Sequence, residues 1–287
     1  MKPVGFIGLG QMGKPMARQL ADWPGGLIVH DARPEAMTKF AEHGAKAAAS
    51  PREVAETAGV ISVMVLDDDQ VEQVVTGPAG LLETAGPGTV IAIHSTVRQA
   101  TVARLAELTA REGIHVVDAP VSGGAMAARN GSLAVMVGAT DEAFQRCREP
   151  FEKWAGLVMH AGPPGAGTAA KLARNLLHFA AFTAAGEAAR LAEAAGIDLV
   201  ELGKVVRHSD SITGGPGAIM LRPTAAPVEP KDNWYPILSH VRGLGTKDLS
   251  LAIELGEMLG VELPLARLAL DRLAGELGVP TPTEEDA

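Results

Sequence analysis

Along its first half the chain alternates short apolar runs with longer stretches in which apolar residues return every three or four positions. The runs are Val4–Ile7, 27–29, 60–66, Val90–Ile93, 116–117, Leu133–Gly138 and 157–160. Continuous apolar character of this length suits strands buried on both faces of a parallel sheet. Helical periodicity lies between them, around Val71, over 99–112 and over 141–154. Strand alternating with helix predicts a doubly wound α/β domain, in which ligands bind beyond the carboxyl ends of the strands.

The pattern changes after Ala161-Gly162-Pro163-Pro164-Gly165, the densest turn signal in the chain. Residues 165–196 are rich in Ala, Leu, Arg and Glu without proline, and predict one helix of roughly 45 Å that joins two domains. The α/β domain is therefore placed at 1–162 and an all-helical one at 163–287. Lys171, Asn175, His178 and Phe182 share one stripe of the long helix, and its many alanines predict burial on several sides. A lysine in such surroundings has a lowered pKa, whereas a surface lysine would carry its charged head into water. Further on, Asp198 and Glu201 have capping-box spacing, 208–236 reads as a Gly- and Pro-rich loop or lid, and helices are expected at 247–259 and 264–277. The polar tail 278–287 is expected to fray.

Composition narrows the chemistry. With 47% apolar residues the chain is not disordered, and a formal net charge of −9 argues against nucleic acid as a partner. The single cysteine, Cys147, makes no internal disulfide and has no metal-ligand spacing, so no metal is expected. Met1-Lys2-Pro3 leads directly into the first apolar run without signal-peptide features, and no run approaches membrane-spanning length. A reducing, cytoplasmic setting fits these features.

The first strand ends in Gly8-Leu9-Gly10-Gln11-Met12-Gly13, a GxGxxG between strand and helix. Its glycines permit the tight turn, the approach of backbone to a pyrophosphate, and close helix–strand packing. The next run ends at Asp31, where a carboxylate would bond the adenosine ribose and repel a 2′-phosphate. Arg33 would accommodate such a phosphate. On Asp31, and against Arg33, NAD is favoured over NADP. Asp67, Asp68 and Asp69 after the 60–66 run read as a helix cap. Thr96 follows the next strand, within reach of the nicotinamide end. Ser122, Gly123 and Gly124 offer a hydroxyl and unobstructed amides suited to a substrate carboxylate.

Four stretches, GFIGLGQMGKPMA from Gly5, DAPVSGG from Asp118, GAGTAAKLARN from Gly165 and KDLSLA from Lys247, stand in this order over nearly the whole chain. In these the chain resembles the β-hydroxyacid dehydrogenase family. The resemblance implies a Rossmann-type domain, a helical second domain, Lys171 as the catalytic residue and Asn175 as a substrate-positioning one. It implies a substrate carboxylate at Ser122, Gly123 and Gly124, with Leu66, Thr96 and Lys247 near the cofactor. The implied reaction is reversible oxidation of a 3-hydroxy acid to a semialdehyde. Asp67 stands where relatives often carry proline, and Thr96-Val97-Arg98 lacks a proline often found just beyond. His240 stands where phenylalanine is common, which implies a more polar pocket than hydroxyisobutyrate needs.

The leading expectation is thus a hydride-transferring oxidoreductase acting on a small carboxylate, with Lys171 as general acid and base. Imine reduction on the same scaffold generally has Asp or Tyr at the Lys171 position. A non-catalytic dinucleotide-binding protein would have little reason to keep Lys171, Asn175 and the Ser122 loop together. The small-residue surfaces and long helix predict a homodimer or homotetramer.

Overall fold

The computed structural model describes residues 1–220 and 222–279. Packing divides the chain into two compact units, residues 1–174 and 175–287.

In chain order the first unit contains β1 (Val4–Ile7), α1 (Gly13–Arg18), β2 (Leu27–His30), α2 (Pro34–Glu42), β3 (Lys46–Ala47), α3 (Pro51–Ala55), β4 (Val60–Val63) and α4 (Asp68–Thr76). There follow β5 (Val90–Ile93), α5 (Gln99–Ala110), β6 (His115–Asp118), β7 (Val121–Ser122), α6 (Gly124–Arg129), β8 (Leu133–Gly138), α7 (Asp141–Glu152) and β9 (Ala155–Gly162). One sheet runs in the order β3-β2-β1-β4-β5-β6-β8-β7, with β9 also paired to β8. β1 to β6 are parallel where they pair, while β8 is antiparallel to both β6 and β7.

Every residue of β1, β4 and β5 is buried, which explains their unbroken apolar runs. The pleat sends alternate side chains to opposite faces. Phe6 joins Met16, Val29, Phe151 and Trp154 on one face, and Ile7 joins Ile61, Ile91, Ile93 and Leu105 on the other. The expected doubly wound architecture is present. The 60–66 run is only partly strand: β4 stops at Val63, and the chain leaves the sheet so that Leu66 is exposed. α1 is short and ends at Arg18. Helices α3 and α6 are too short for an apolar period to stand out in sequence, although Ser50 and Pro51 begin α3 with a side-chain cap and a proline in the first turn.

The long helix, α8 (Ala166–Ala194), begins in the first unit and continues into the second, which adds α9 (Leu199–Thr213), α10 (Trp234–Leu259) and α11 (Pro264–Glu276). Asp198 caps α9 by accepting from the Val200 and Glu201 amides. Three expectations need correction here. The 208–236 loop is helical at both ends, through Thr213 and again from Trp234. Lys247 does not open a helix but lies in the middle of α10. Pro236 falls in the first turn, where its missing N–H costs nothing, and Gly245 gives Leu273 of α11 room that a Cβ would occupy at 2.7 Å.

The third correction concerns burial. From Asn175 onward α8 has only Glu187 and Ala192 buried, while Leu176, Phe179 and Phe182 are 74%, 60% and 59% exposed. Alanines cover little area, and Glu187 ties α8 to the start of α11, its carboxylate accepting from the Leu265 and Ala266 amides at 2.7 and 3.0 Å. Among the described residues, the buried cluster of this unit is Val228, Leu238, Leu277 and Val279. Val279 is thus packed rather than frayed; the rest of the expected tail, 280–287, lies outside the described residues. No helix among the described residues is long and apolar enough to cross a membrane.

Candidate active site

The chain turns at the carboxyl end of β1 through Gly8, Leu9, Gly10, Gln11 and Met12 into Gly13, the first residue of α1. Gly8 has φ +90°, and a Cβ there would stand 2.1 Å from the Met64 carbonyl oxygen just beyond β4. Gly10 has open space where its Cβ would be, so its backbone is approachable. The strand order reverses between β1 and β4, so this loop edges the crevice at the switch point of the sheet. A cradle open at Gly10 fits the pyrophosphate of a dinucleotide. Gln11 is exposed, Leu9 is buried and Met12 packs against the core.

Asp31 follows β2 and ties this loop together. Its Oδ2 accepts from the Leu9 amide at 2.7 Å, and its Oδ1 accepts from the Arg33 amide at 2.9 Å and Arg33 Nε at 3.1 Å. Burial works to raise its pKa, but the hydrogen bonds from Arg33 and Leu9 outweigh it and hold the carboxyl below the usual aspartate value. The Arg33 guanidinium is exposed and lies over the carboxylate that a ribose would seek.

Beyond β4, Asp67 caps α4 by accepting from the Gln70 amide, the cap role expected of it, and the Leu66 amide donates to Gln70 Oε1. Asp68 accepts from Thr101 Oγ1 and the Arg98 amide, joining the starts of α4 and α5. Beyond β5, Ser95 is hydrogen-bonded to the Val65 backbone and Thr96 is exposed at the strand end. His94, before them, is buried beneath this edge. Its Nδ1 lies 2.7 Å from the Ala119 carbonyl oxygen and its Nε2 2.9 Å from Ser62 Oγ. Because a carbonyl only accepts, Nδ1 carries the proton and Nε2 accepts from the serine hydroxyl.

The carboxyl end of β6 supplies the remaining part. Asp118 closes the strand, and Val121 and Ser122 pair with β8 before Gly123 and Gly124 turn into α6. Gly124 faces open space, so amides here are accessible. Lys171 on α8 is half-buried, and its Nζ donates to the Val121 carbonyl at 2.6 Å. Burial lowers its pKa from the ordinary lysine value, and the Arg174 cation pushes the same way.

The first unit therefore brings together two groups of expected residues. Gly8 to Gly13 gather with Asp31 and Arg33, and Lys171 gathers with the Ser122 loop. Asn175, His240 and Lys247 belong to the helical unit, where His240 and Lys247 are exposed and Lys247 pairs with Asp248 at 3.1 Å. Asp118 and His94 did not stand out in the sequence as separate contributors. Their only signal was position, at strand ends facing the crevice. Cys147 is buried in α7, which pushes its thiol up to about 12 and removes it as a nucleophile. Among the described residues no cluster of His, Cys, Asp and Glu is arranged to hold a metal.

The chain is similar to known proteins over nearly its whole length. Residues 3–162 match the NAD-binding domain of 6-phosphogluconate dehydrogenase, and residues 165–275 match the NAD-binding domain of NADP-dependent 3-hydroxyisobutyrate dehydrogenase. An uncharacterised oxidoreductase of Mycobacterium tuberculosis is 63% identical over 99% of this chain and 96% of its own length. The 3-hydroxyisobutyrate dehydrogenase of Pseudomonas aeruginosa is 35% identical over 94% of this chain and 90% of its own. A solved structure described as an oxidoreductase of Mycobacterium avium is 54% identical, with a TM-score of 0.93 over 98% of this chain and 100% of that one. With this sheet, this glycine loop and these relatives, the chain belongs to the β-hydroxyacid dehydrogenase family of NAD(P)-binding oxidoreductases.

Proposed function

We propose that the protein catalyses reversible oxidation of a small 3-hydroxy carboxylate to its semialdehyde, with Lys171 as general acid and base and NAD preferred over NADP. The observation that carries this reading is the half-buried Lys171 amine bonded to the Val121 carbonyl beside Ser122, Gly123 and Gly124. The nicotinamide, when bound, takes up or returns the hydride. Neutral Lys171 accepts the hydroxyl proton as the C–H bond breaks, and its ammonium form returns that proton in the reverse direction. A lowered pKa enlarges the neutral fraction near physiological pH, so oxidation gains as pH rises through that pKa and reduction gains as it falls. The Ser122 hydroxyl and the Gly123 and Gly124 amides hold the carboxylate, and Asn175, one helical turn after Lys171, positions the same substrate. Thr96, Leu66 and Lys247 serve the cofactor, and His240 gives the substrate pocket a polar wall. Asp31 supports the NAD preference, since a carboxylate disfavours a 2′-phosphate.

The test is NADH formation on 3-hydroxyisobutyrate, 3-hydroxypropionate, glycerate and serine, with wild type and Lys171→Ala side by side. Turnover by wild type should fall about 10²- to 10⁴-fold in the variant while NADH affinity changes less than about twofold. Undiminished turnover in Lys171→Ala would remove the lysine from the mechanism.

We also infer that the helical unit pairs with a second copy. Among the described residues its own buried cluster is small, and Leu176, Phe179, Phe182, Leu244 and Leu251 stand exposed on α8 and α10. Each such side chain gains about 1.5–3 kcal/mol on full burial. A two-fold interface, in which the same surface of each copy meets the other, would cover such side chains on both copies. Light scattering on the eluting protein should give at least twice the 29.7 kDa chain mass, and a monomer at micromolar concentration would refute the pairing.

A further inference from the structure

Asp118 does more than end a strand. It is 1% exposed, and both its oxygens are engaged: Oδ1 accepts from the Gly165 amide at 2.7 Å and Oδ2 from the Thr168 amide at 2.5 Å. These amides open α8, so a buried carboxylate satisfies donors that the helix itself cannot. Lys171 comes one helical turn after Thr168, and its acceptor, the Val121 carbonyl, comes three residues after Asp118. Two short segments, some 50 residues apart in sequence, are thus joined at both ends.

The fit between them is close. A Cβ on Gly138 would stand 2.2 Å from Asp118 Oδ1, and one on Gly167 would stand 2.3 Å from the Met136 carbonyl oxygen and 2.7 Å from that of Asp118. Only glycine lets the start of α8 lie this near β6 and β8.

We infer that Asp118 is a positioning residue, whose carboxylate seats the first turn of α8 so that the Lys171 amine is held beside the Ser122 loop. The inference rests on the proposed role of Lys171 and adds the group that sets its place. In Asp118→Asn, one acceptor oxygen becomes an N–H facing another N–H, and the helix start shifts. Displacement of a catalytic group by about 1 Å can cost about 100-fold.

The test uses the full chain, with kcat normalised to NADH-binding sites, on the 3-hydroxy carboxylate that wild type oxidises fastest. Asp118→Asn should lower kcat by about 10- to 100-fold, leave NADH affinity within about twofold and move the pH midpoint of oxidation. In a Lys171→Ala background the same substitution should cost less than about twofold, because the group it positions is gone. Unchanged kcat in Asp118→Asn, or the same fold loss in both backgrounds, overturns the inference. Full activity of Lys171→Ala, or no turnover by wild type, instead removes the reading of Lys171 and this inference with it. If Asp118→Asn binds no NADH, Gly167→Ala carries the test, since it displaces the helix start with the carboxylate intact. The same losses support the inference, and failure of both variants to bind NADH reduces the contact to one of folding.

Discussion

His94 gives the first unit an acid-sensitive point that can be worked out numerically. The imidazole is 1% exposed, stacked on Phe6 and met edge-on by Phe151 and Trp154, with ring centroids 5.2 Å away for each of the latter two. Burial disfavours its charged form, and the Ala119 carbonyl recovers only part of that, so its pKa falls from 6.5 to about 4. The folded value is depressed, so the unfolded chain binds the proton first. The contribution to stability is fully present above about pH 6.5 and is lost as pH falls toward and through about 4. A difference of that size corresponds to about 3 kcal/mol in the acid limit, most of it already gone at pH 4.5. This is a large share of the roughly 5–15 kcal/mol that holds a domain together. Urea unfolding followed by tryptophan fluorescence, at intervals from pH 7.5 to 4.5, would measure the loss. His94→Asn retains a donor for the Ala119 carbonyl but has no titrating ring, so its stability should vary much less over the same interval. Asp31 and Asp68 also have lowered values, but theirs lie below 3.8 and act in a more acidic window. Equal pH dependence in the two proteins, or an imidazole pKa of 6 or above by NMR, would refute the reasoning.

Two further outcomes are expected. Asp31→Ala should weaken NAD and release Arg33 for a 2′-phosphate, so the ratio of kcat/KM for NAD over NADP should fall by about tenfold or more; an unchanged ratio would place cofactor choice elsewhere. Glu187→Ala should leave the Leu265 and Ala266 amides without their acceptor and destabilise the helical unit by about 1–3 kcal/mol, read as a fall in its unfolding midpoint, whereas an unchanged midpoint would show that water replaces the carboxylate.

The sequence carried the frame of the first unit because its strands obey a rule confined to neighbours: residues buried on both faces must be apolar whatever lies beyond them. The same holds for Gly8, Gly10 and Gly13, whose meaning follows from a strand before and a helix after. Asp118 was opaque for the opposite reason. Its partners are backbone amides 47 and 50 residues away, and an amide leaves no mark in a sequence. Lys247 was placed at a helix start, whereas α10 runs through it, and the Leu273 side chain packed over Gly245 shows why a glycine stands within that helix. The alanines of α8 suggested burial, but such small side chains leave most of the helix beyond Asn175 exposed within the chain.

The joining of β6 to α8 also has a consequence for the order in which the protein forms. The hydrogen bonds that seat Lys171 span 47 to 50 residues, and the helix start also lies close against β8. Such distant pairings form later than local ones, since the intervening chain must first give up its freedom. During synthesis the glycine loop and Asp31 can find each other as soon as β1 and β2 pair. A nascent chain can therefore hold the dinucleotide cradle well before it has a seated lysine, and the proposed chemistry waits for the last segment of the first unit to arrive.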